Sequence, residues 1–205
     1  MKTKFFGVVL LMVIFSIDAT AQDSHAGIRG SLNLSNWYTG DDVNDENLKV
    51  GFAIGGFYRS YLTENLSLQP GLEFSQKGST FTYNNIFGDG EIRGILNYIE
   101  LPVLLNFHLT ETLHVGAGPY AALLIGAKQK TVDDDGSTQD VEEYDRDDFT
   151  TLDYGLSFDG GIDLEGISAG LRYNLGMNDV IWENSLEDTN LGKNSVLQVY
   201  LQLNF

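Results

Sequence analysis

The chain has 205 residues, with 12 Lys and Arg against 29 Asp and Glu for a formal net charge of −17, and no cysteine. So acidic a balance repels nucleic acid and anionic head groups, while the absence of thiols excludes disulfides and a cysteine-borne lipid anchor. The length suits one domain.

The first stretch, "MKTKFFGVVLLMVIFSIDATAQ", sets Lys2 and Lys4 before an uncharged run from Phe5 to Ile17 and small residues at Ala19 and Ala21. That is the pattern of a secretory signal peptide over residues 1–21, cleaved after Ala21. A transmembrane helix is the competing reading, but the run falls short of the ~17–25 residues a span needs. The expected domain is therefore 22–205, with no helical span in it.

Eight segments then alternate at period two, the signature of strands with two unlike faces. In "GIRGSLNLSNW", Ile28, Leu32 and Leu34 oppose Arg29, Ser31, Asn33 and Ser35. In "VGFAIGGFYRSYL", Val50, Phe52, Ile54 and Tyr58 oppose Gly51, Ala53, Gly55, Phe57 and Arg59. "LSLQPGLEFSQK" sets Leu66, Leu68, Pro70, Leu72 and Phe74 against Ser67, Gln69, Glu73, Ser75 and Lys77. "NYIELPVLLNFHL" sets Ile99, Leu101, Val103, Leu105 and Phe107 against Glu100, Pro102, Leu104, Asn106 and His108. "LHVGAGPYAALLIG" places His114, Gly116, Gly118, Tyr120, Ala122 and Gly126 on one side. "LDYGLSFDGGID" opposes Tyr154, Leu156, Phe158 and Ile162 to Asp153, Ser157, Asp159 and Asp163. "ISAGLRYNLG" opposes Ile167, Leu171, Tyr173 and Leu175 to Ser168, Arg172 and Asn174. The last, "SVLQVYLQLNF", sets Leu197, Val199, Leu201, Leu203 and Phe205 against Val196, Gln198, Tyr200, Gln202 and Asn204.

The connections alternate in length. Thr63 to Asn65, Thr110 to Thr112, and Glu165 with Gly166 read as hairpin turns, whereas Tyr38 to Lys49, Gly78 to Leu96, Ala127 to Thr151 and Asn178 to Asn194 are long. Three short turns at one rim and four long loops at the other predict an all-β fold: an eight-stranded antiparallel transmembrane β-barrel, an up-and-down meander with short periplasmic turns and long extracellular loops.

The faces separate this from a secreted sandwich or a lipocalin-like barrel. One face of each strand is rich in Leu, Ile, Val, Phe and Tyr; the other carries Arg29, Arg59, Lys77 and Arg172 with Glu73, Glu100, Asp153, Asp159 and Asp163. Such charges are costly unpaired in an apolar core. An eight-stranded barrel has an interior just wide enough to be filled by side chains, where opposite charges can pair. A strand of about ten residues, rising ~3.3 Å each and tilted ~40°, spans on the order of 25 Å, the height of such a barrel's apolar band. Pro70, Pro102 and Pro119 all fall within strands, so a missing ladder bond or a bulge is expected beside them, and a bulge would shift the faces beyond it.

The stretches "YIELPVLLNFHLTE", "GIRGSLNLSNW" and "LSLQPGLEFSQKG" resemble the PorT-type outer-membrane β-barrel family of Gram-negative bacteria, over about Ala26 to Phe205. The resemblance implies an outer-membrane location, a terminal aromatic strand read by the outer-membrane assembly machinery, and an accessory role in protein secretion.

Candidate sites are sparse. His25, His108 and His114 are scattered along the chain; the last two flank a short turn and read as polar lumen residues facing each other at the periplasmic rim. No G-x-S-x-G elbow or phosphate loop is present, so no enzyme and no catalytic residues are expected. The segment "TVDDDGSTQDVEEYDRDDF" holds nine acids against Arg146 alone. Asp133, Asp135 and Glu142 align with calcium-loop positions three, five and twelve, making weak Ca²⁺ binding the one cofactor expectation, although Thr131 lacks the carboxylate of position one. The competing reading is a solvated surface loop.

The expected protein is a non-enzymatic component of the cell envelope with a plugged, charge-paired lumen, structural or interacting in role. Its partners would be outer-membrane lipid and lipopolysaccharide, the assembly machinery and other envelope proteins, and not nucleic acid. Secretion accessory and small passive pore are the alternatives.

Overall fold

The computed structural model describes residues 24–38, 48–85, 88–133, 138–143, 150–180 and 192–205, with side chains except at 38, 81–93, 129–133 and 138–143. The expected signal peptide lies outside the described residues. Among the described residues nine strands form: β1 (Ser24–Tyr38), β2 (Lys49–Thr63), β3 (Leu66–Asn85), β4 (Gly88–His108), β5 (Leu113–Asp133), β6 (Thr138–Glu143), β7 (Leu152–Leu164), β8 (Ile167–Asp179) and β9 (Lys193–Asn204). Eight of them close a barrel. Each pairs antiparallel with its chain neighbours, β5 with β7 across the short β6, and β9 with β1 through pairs such as Leu32↔Val199. Closure matters because lipid offers no partner to an open edge.

Burial confirms the faces. Leu32, Leu171 and Leu201 are 61%, 53% and 61% exposed, while Arg172 and Glu100 are 1% and 0% exposed. A water-soluble domain would have these values reversed; here the exposed apolar face is the one that meets lipid. The hairpin turns fall where the spacing predicts. In the β7–β8 turn, Gly166 takes φ +76°, which a residue with a Cβ adopts only at a cost.

Two of the expected long loops are in large part strand. β3, β4 and β5 run to 20, 21 and 21 residues against 12 in β9, and the β3–β4 ladder continues to Asn85↔Gly88. Beyond the barrel β4 still pairs with β5 at Gly90↔Asp133, and β6 adds to β5 through Lys128↔Glu143. A four-stranded sheet therefore stands above the long-loop rim. The spacing reads these stretches as loops because turn-forming residues such as Asn84, Asn85, Gly88 and Gly90 interrupt them.

The prolines act as expected, through missing ladder bonds rather than bulges. Ladder pairs lapse between Pro70↔Val103 and Glu73↔Glu100, and between Pro102↔Tyr120 and Leu105↔Ala117, the latter gap taking in Pro119. The inward phase nonetheless holds across Pro70, with Ser67, Gln69, Glu73, Ser75 and Lys77 all buried. A missing N–H removes a bond without inserting a residue, so the faces do not shift. A register shift that does move a face lies opposite Asn97 and Tyr98, where β5 passes from Gly126 to Leu124 and Ile125 is the extra residue. From there the inward face moves from Leu124 to Ala127, which corrects the placement expected for Gly126.

Candidate functional site: the charged lumen

The inward faces bring the predicted charges together at three heights. Toward the long-loop rim, Lys77 Nζ lies 2.6 Å from Glu100 Oε2 and 3.0 Å from Asp153 Oδ2. The ammonium also sits 4.6 Å and 5.1 Å from the ring centres of Tyr120 and Tyr98, so two carboxylates and two π-faces surround one cation. Asn174 donates to Glu100 Oε1 at 2.8 Å, and Asn194 to Asp153 Oδ2 at 3.0 Å.

At mid-height Arg172 bridges two strands across the interior. Its Nε donates to Asp159 Oδ2 at 2.9 Å and its Nη1 to Glu73 Oε1 at 3.2 Å. Arg29 lies 3.7 Å from both Glu73 and Asp159, stacks 4.0 Å from the Tyr200 ring centre, and donates to Gln202 Oε1. Tyr200 in turn donates to Asp159 Oδ1 at 2.8 Å.

Near the short-turn rim Asp163 is the hub. It accepts from Arg59 Nη1 at 3.0 Å and Ser168 Oγ at 2.6 Å, and its Oδ2 lies 2.7 Å from His114 Nδ1. His114 Nε2 faces Asp159 Oδ1 at 3.2 Å, so the ring sits between two carboxylates. His108 and His114 do face each other, with ring centres 5.8 Å apart. Far from scattered, the three histidines fall in one row, since Tyr61 stacks 5.1 Å from His108 and 6.0 Å from His25. The short β4–β5 turn and the β1–β2 register, which pairs His25 with Arg59, create that row.

Every charged lumen residue expected from the alternation takes part: Arg29, Arg59, Lys77 and Arg172 with Glu73, Glu100, Asp153, Asp159 and Asp163. Lys49, expected at a loop boundary, is instead buried, with Nζ 3.3 Å from Gln76 Oε1. Tyr98 was legible one step back from Glu100 on the same face, had the alternation been carried outward. Of the calcium candidates, Asp133 and Glu142 stand on β5 and β6 with their side chains outside the described set, and Asp135 lies outside the described residues altogether. Among the described residues no group of three or more His, Asp or Glu is disposed to hold a metal ion.

The lumen also contains a serine next to a histidine and an acid. Ser67 Oγ is 3.0 Å from His108 Nε2, and His108 Nδ1 is 3.7 Å from Asp163. Ser67 has no exposed surface, and Asp163 is already engaged by Arg59, His114 and Ser168. The arrangement is that of a satisfied buried network.

A closed eight-stranded antiparallel barrel, apolar without and charged within, defines the class of outer-membrane β-barrel proteins. The family model described as outer membrane protein beta-barrel domain matches residues 20–181, and the chain belongs to that family. It is a protein of the outer membrane. β9 lies beyond the match and closes the barrel by pairing with both β8 and β1. Among solved structures the chain is similar to Ail, the attachment invasion locus protein of Yersinia pestis, in complex with the heparin analogue sucrose octasulfate: 13% identity, 90% of this chain and 100% of that one covered, TM-score 0.47. It is also similar to Neisserial surface protein A, at 11% identity, 89% and 97% coverage and TM-score 0.44. OprG of Pseudomonas aeruginosa gives 10%, 89% and 94%, and 0.42. A comparison with curated proteins finds no match.

Proposed function

We propose that this protein is a non-enzymatic envelope component whose lumen is plugged by paired side chains and which works through its outer surface rather than through a channel. The observation that carries this reading is the pair of buried cations, Lys77 and Arg172, each held by one carboxylate from the neighbouring strand, Glu100 or Asp159, and one from across the interior, Asp153 or Glu73. Pairing of that kind occupies the cross-section that a solute would need. The sheet formed by the extensions of β3, β4 and β5 with β6 favours an interacting role, because it carries strand well beyond what crossing the lipid requires. Lipid, lipopolysaccharide and other envelope proteins are the partners in reach of it.

Within this reading, the PorT-type resemblance supports an accessory role in protein secretion, and a deletion strain that secretes normally would count against it. A small passive pore is the competing function. Liposomes carrying the folded barrel should swell in small sugars no faster than empty liposomes, and crosslinking in native envelopes should capture partners through the long-loop rim. Fast swelling would favour the pore.

A further inference from the structure

We infer that the two facing histidines at the short-turn rim form an acid-sensitive latch, in which His114 is charged, His108 is neutral, and a proton added to His108 loosens that end of the plug. His114 is held from both sides. Its Nδ1 lies 2.7 Å from Asp163 Oδ2 and its Nε2 lies 3.2 Å from Asp159 Oδ1. A carboxylate only accepts, and a neutral imidazole has one N–H and one lone pair, so a neutral ring would set that lone pair against an oxygen anion. Each acid is kept ionised by a guanidinium, Arg59 on Asp163 at 3.0 Å and Arg172 on Asp159 at 2.9 Å. Tyr200 Oη, 3.3 Å from Nε2, gives its single hydrogen to Asp159 Oδ1 at 2.8 Å. The proton that completes both contacts therefore sits on the ring.

His108 stands in the opposite situation. Its Nδ1 is 3.7 Å from Asp163 Oδ2, beyond hydrogen-bonding distance, and Asp163 is already engaged by Arg59, His114 and Ser168. Its Nε2 lies 3.0 Å from Ser67 Oγ, a hydroxyl that can donate to the lone pair of a neutral ring. The two ring centres are 5.8 Å apart and both side chains are buried, so a second imidazolium would face the first with little water to screen it. No other group around the pair offsets that charge. β2 brings the cation Arg59 and the ring of Tyr61, which separates His108 from His25 of β1; β3 and β8 bring the hydroxyls of Ser67 and Ser168; and Glu111, in the turn between the histidines, is exposed to water. Beside the pair, the Asp163 amide donates to the Thr112 carbonyl and the His108 amide to the Asn65 carbonyl, each at 2.8 Å. Repulsion between the rings pulls on these bonds. The latch goes beyond the plugged-lumen reading, because it makes one end of the plug depend on pH while the Lys77 and Arg172 layers stay closed.

The test is NMR of the parent barrel in lipid nanodiscs, joined to amide hydrogen exchange of His108→Gln. At neutral pH both ring nitrogens of His114 should carry hydrogen, and one of His108. Between about pH 7 and pH 5, across the ordinary histidine range near 6.5, the protection factor of the Asp163 amide should fall several-fold in the parent and stay within about twofold in His108→Gln, which keeps a polar group beside Ser67. The sign follows because the opened rim takes up a proton on His108 that the closed rim excludes, so acid favours opening. A neutral His114 or a doubly protonated His108 at neutral pH overturns the charge assignment and the latch with it. Unchanged Asp163 protection in the parent, or an equal fall in His108→Gln, overturns the latch as well, and each of these results leaves the plug intact.

Discussion

Lys77 Nζ lies 2.6 Å from Glu100 Oε2, and neither side chain has any exposed surface. With Asp153 at 3.0 Å the lysine neutralises two acids brought from β4 and β7. Removing one partner of a buried pair leaves the other charged and desolvated, at a cost of about 3–5 kcal/mol. Lys77→Met should therefore lower the unfolding free energy in lipid vesicles by that order, and adding Glu100→Gln should recover part of it. Equal stability of Lys77→Met and parent would contradict the pairing.

Arg172 makes the complementary case at mid-height, since it holds Asp159 and Glu73 together. Arg172→Ala should cost about 3–5 kcal/mol, and Arg172→Lys should restore little because one ammonium does not reproduce the two-armed geometry. Urea titration of the three proteins reads this directly.

Glycines on the two faces should behave differently. A Cβ at lumen-facing Gly155 would meet the Leu175 carbonyl oxygen at 2.0 Å and Tyr120 Cε1 at 2.9 Å, whereas one at lipid-facing Gly30 meets nothing within 4 Å. Gly155→Ala should destabilise by about 1–3 kcal/mol. Gly30→Ala should be neutral or stabilising by up to about 1 kcal/mol, because the unfolded chain loses freedom. Matching midpoints for the two would refute the assigned packing.

Charging the lipid face should be worse than charging a turn. Leu171, 53% exposed on β8 opposite Val199, should cost about 2–4 kcal/mol as Leu171→Arg, while Thr112→Arg in the β4–β5 turn should cost less than about 1 kcal/mol. Unfolding free energies in vesicles that do not separate these variants would mean that Leu171 does not face the hydrocarbon.

The alternation from Ile28 to Leu34, or from Leu197 to Phe205, made the barrel legible because lipid and lumen impose opposite chemistry on neighbouring residues. Arg29, Glu73 and Arg172 could be assigned to the interior for the same reason. Their partners could not, because Arg172 meets Glu73 across the barrel, at a distance set by closure and tilt rather than by sequence spacing. The facing of His108 and His114 across their short turn was legible, but the joining of His25 to them through Tyr61 was not: β1 and the β4–β5 turn are far apart in the chain and share a rim only in the fold. Lys49 and the strand extensions were missed where the local pattern weakens, at the edge of the lipid.

The plug itself is tested most directly by ion conductance of the folded protein in planar lipid bilayers. The Lys77, Arg172 and Asp163 layers close the interior at three heights, so the wild-type barrel should pass no steady current, and Arg172→Ala, which leaves the other two layers in place, should pass none either. A large, steady wild-type conductance would contradict the plug and make passive transport the function.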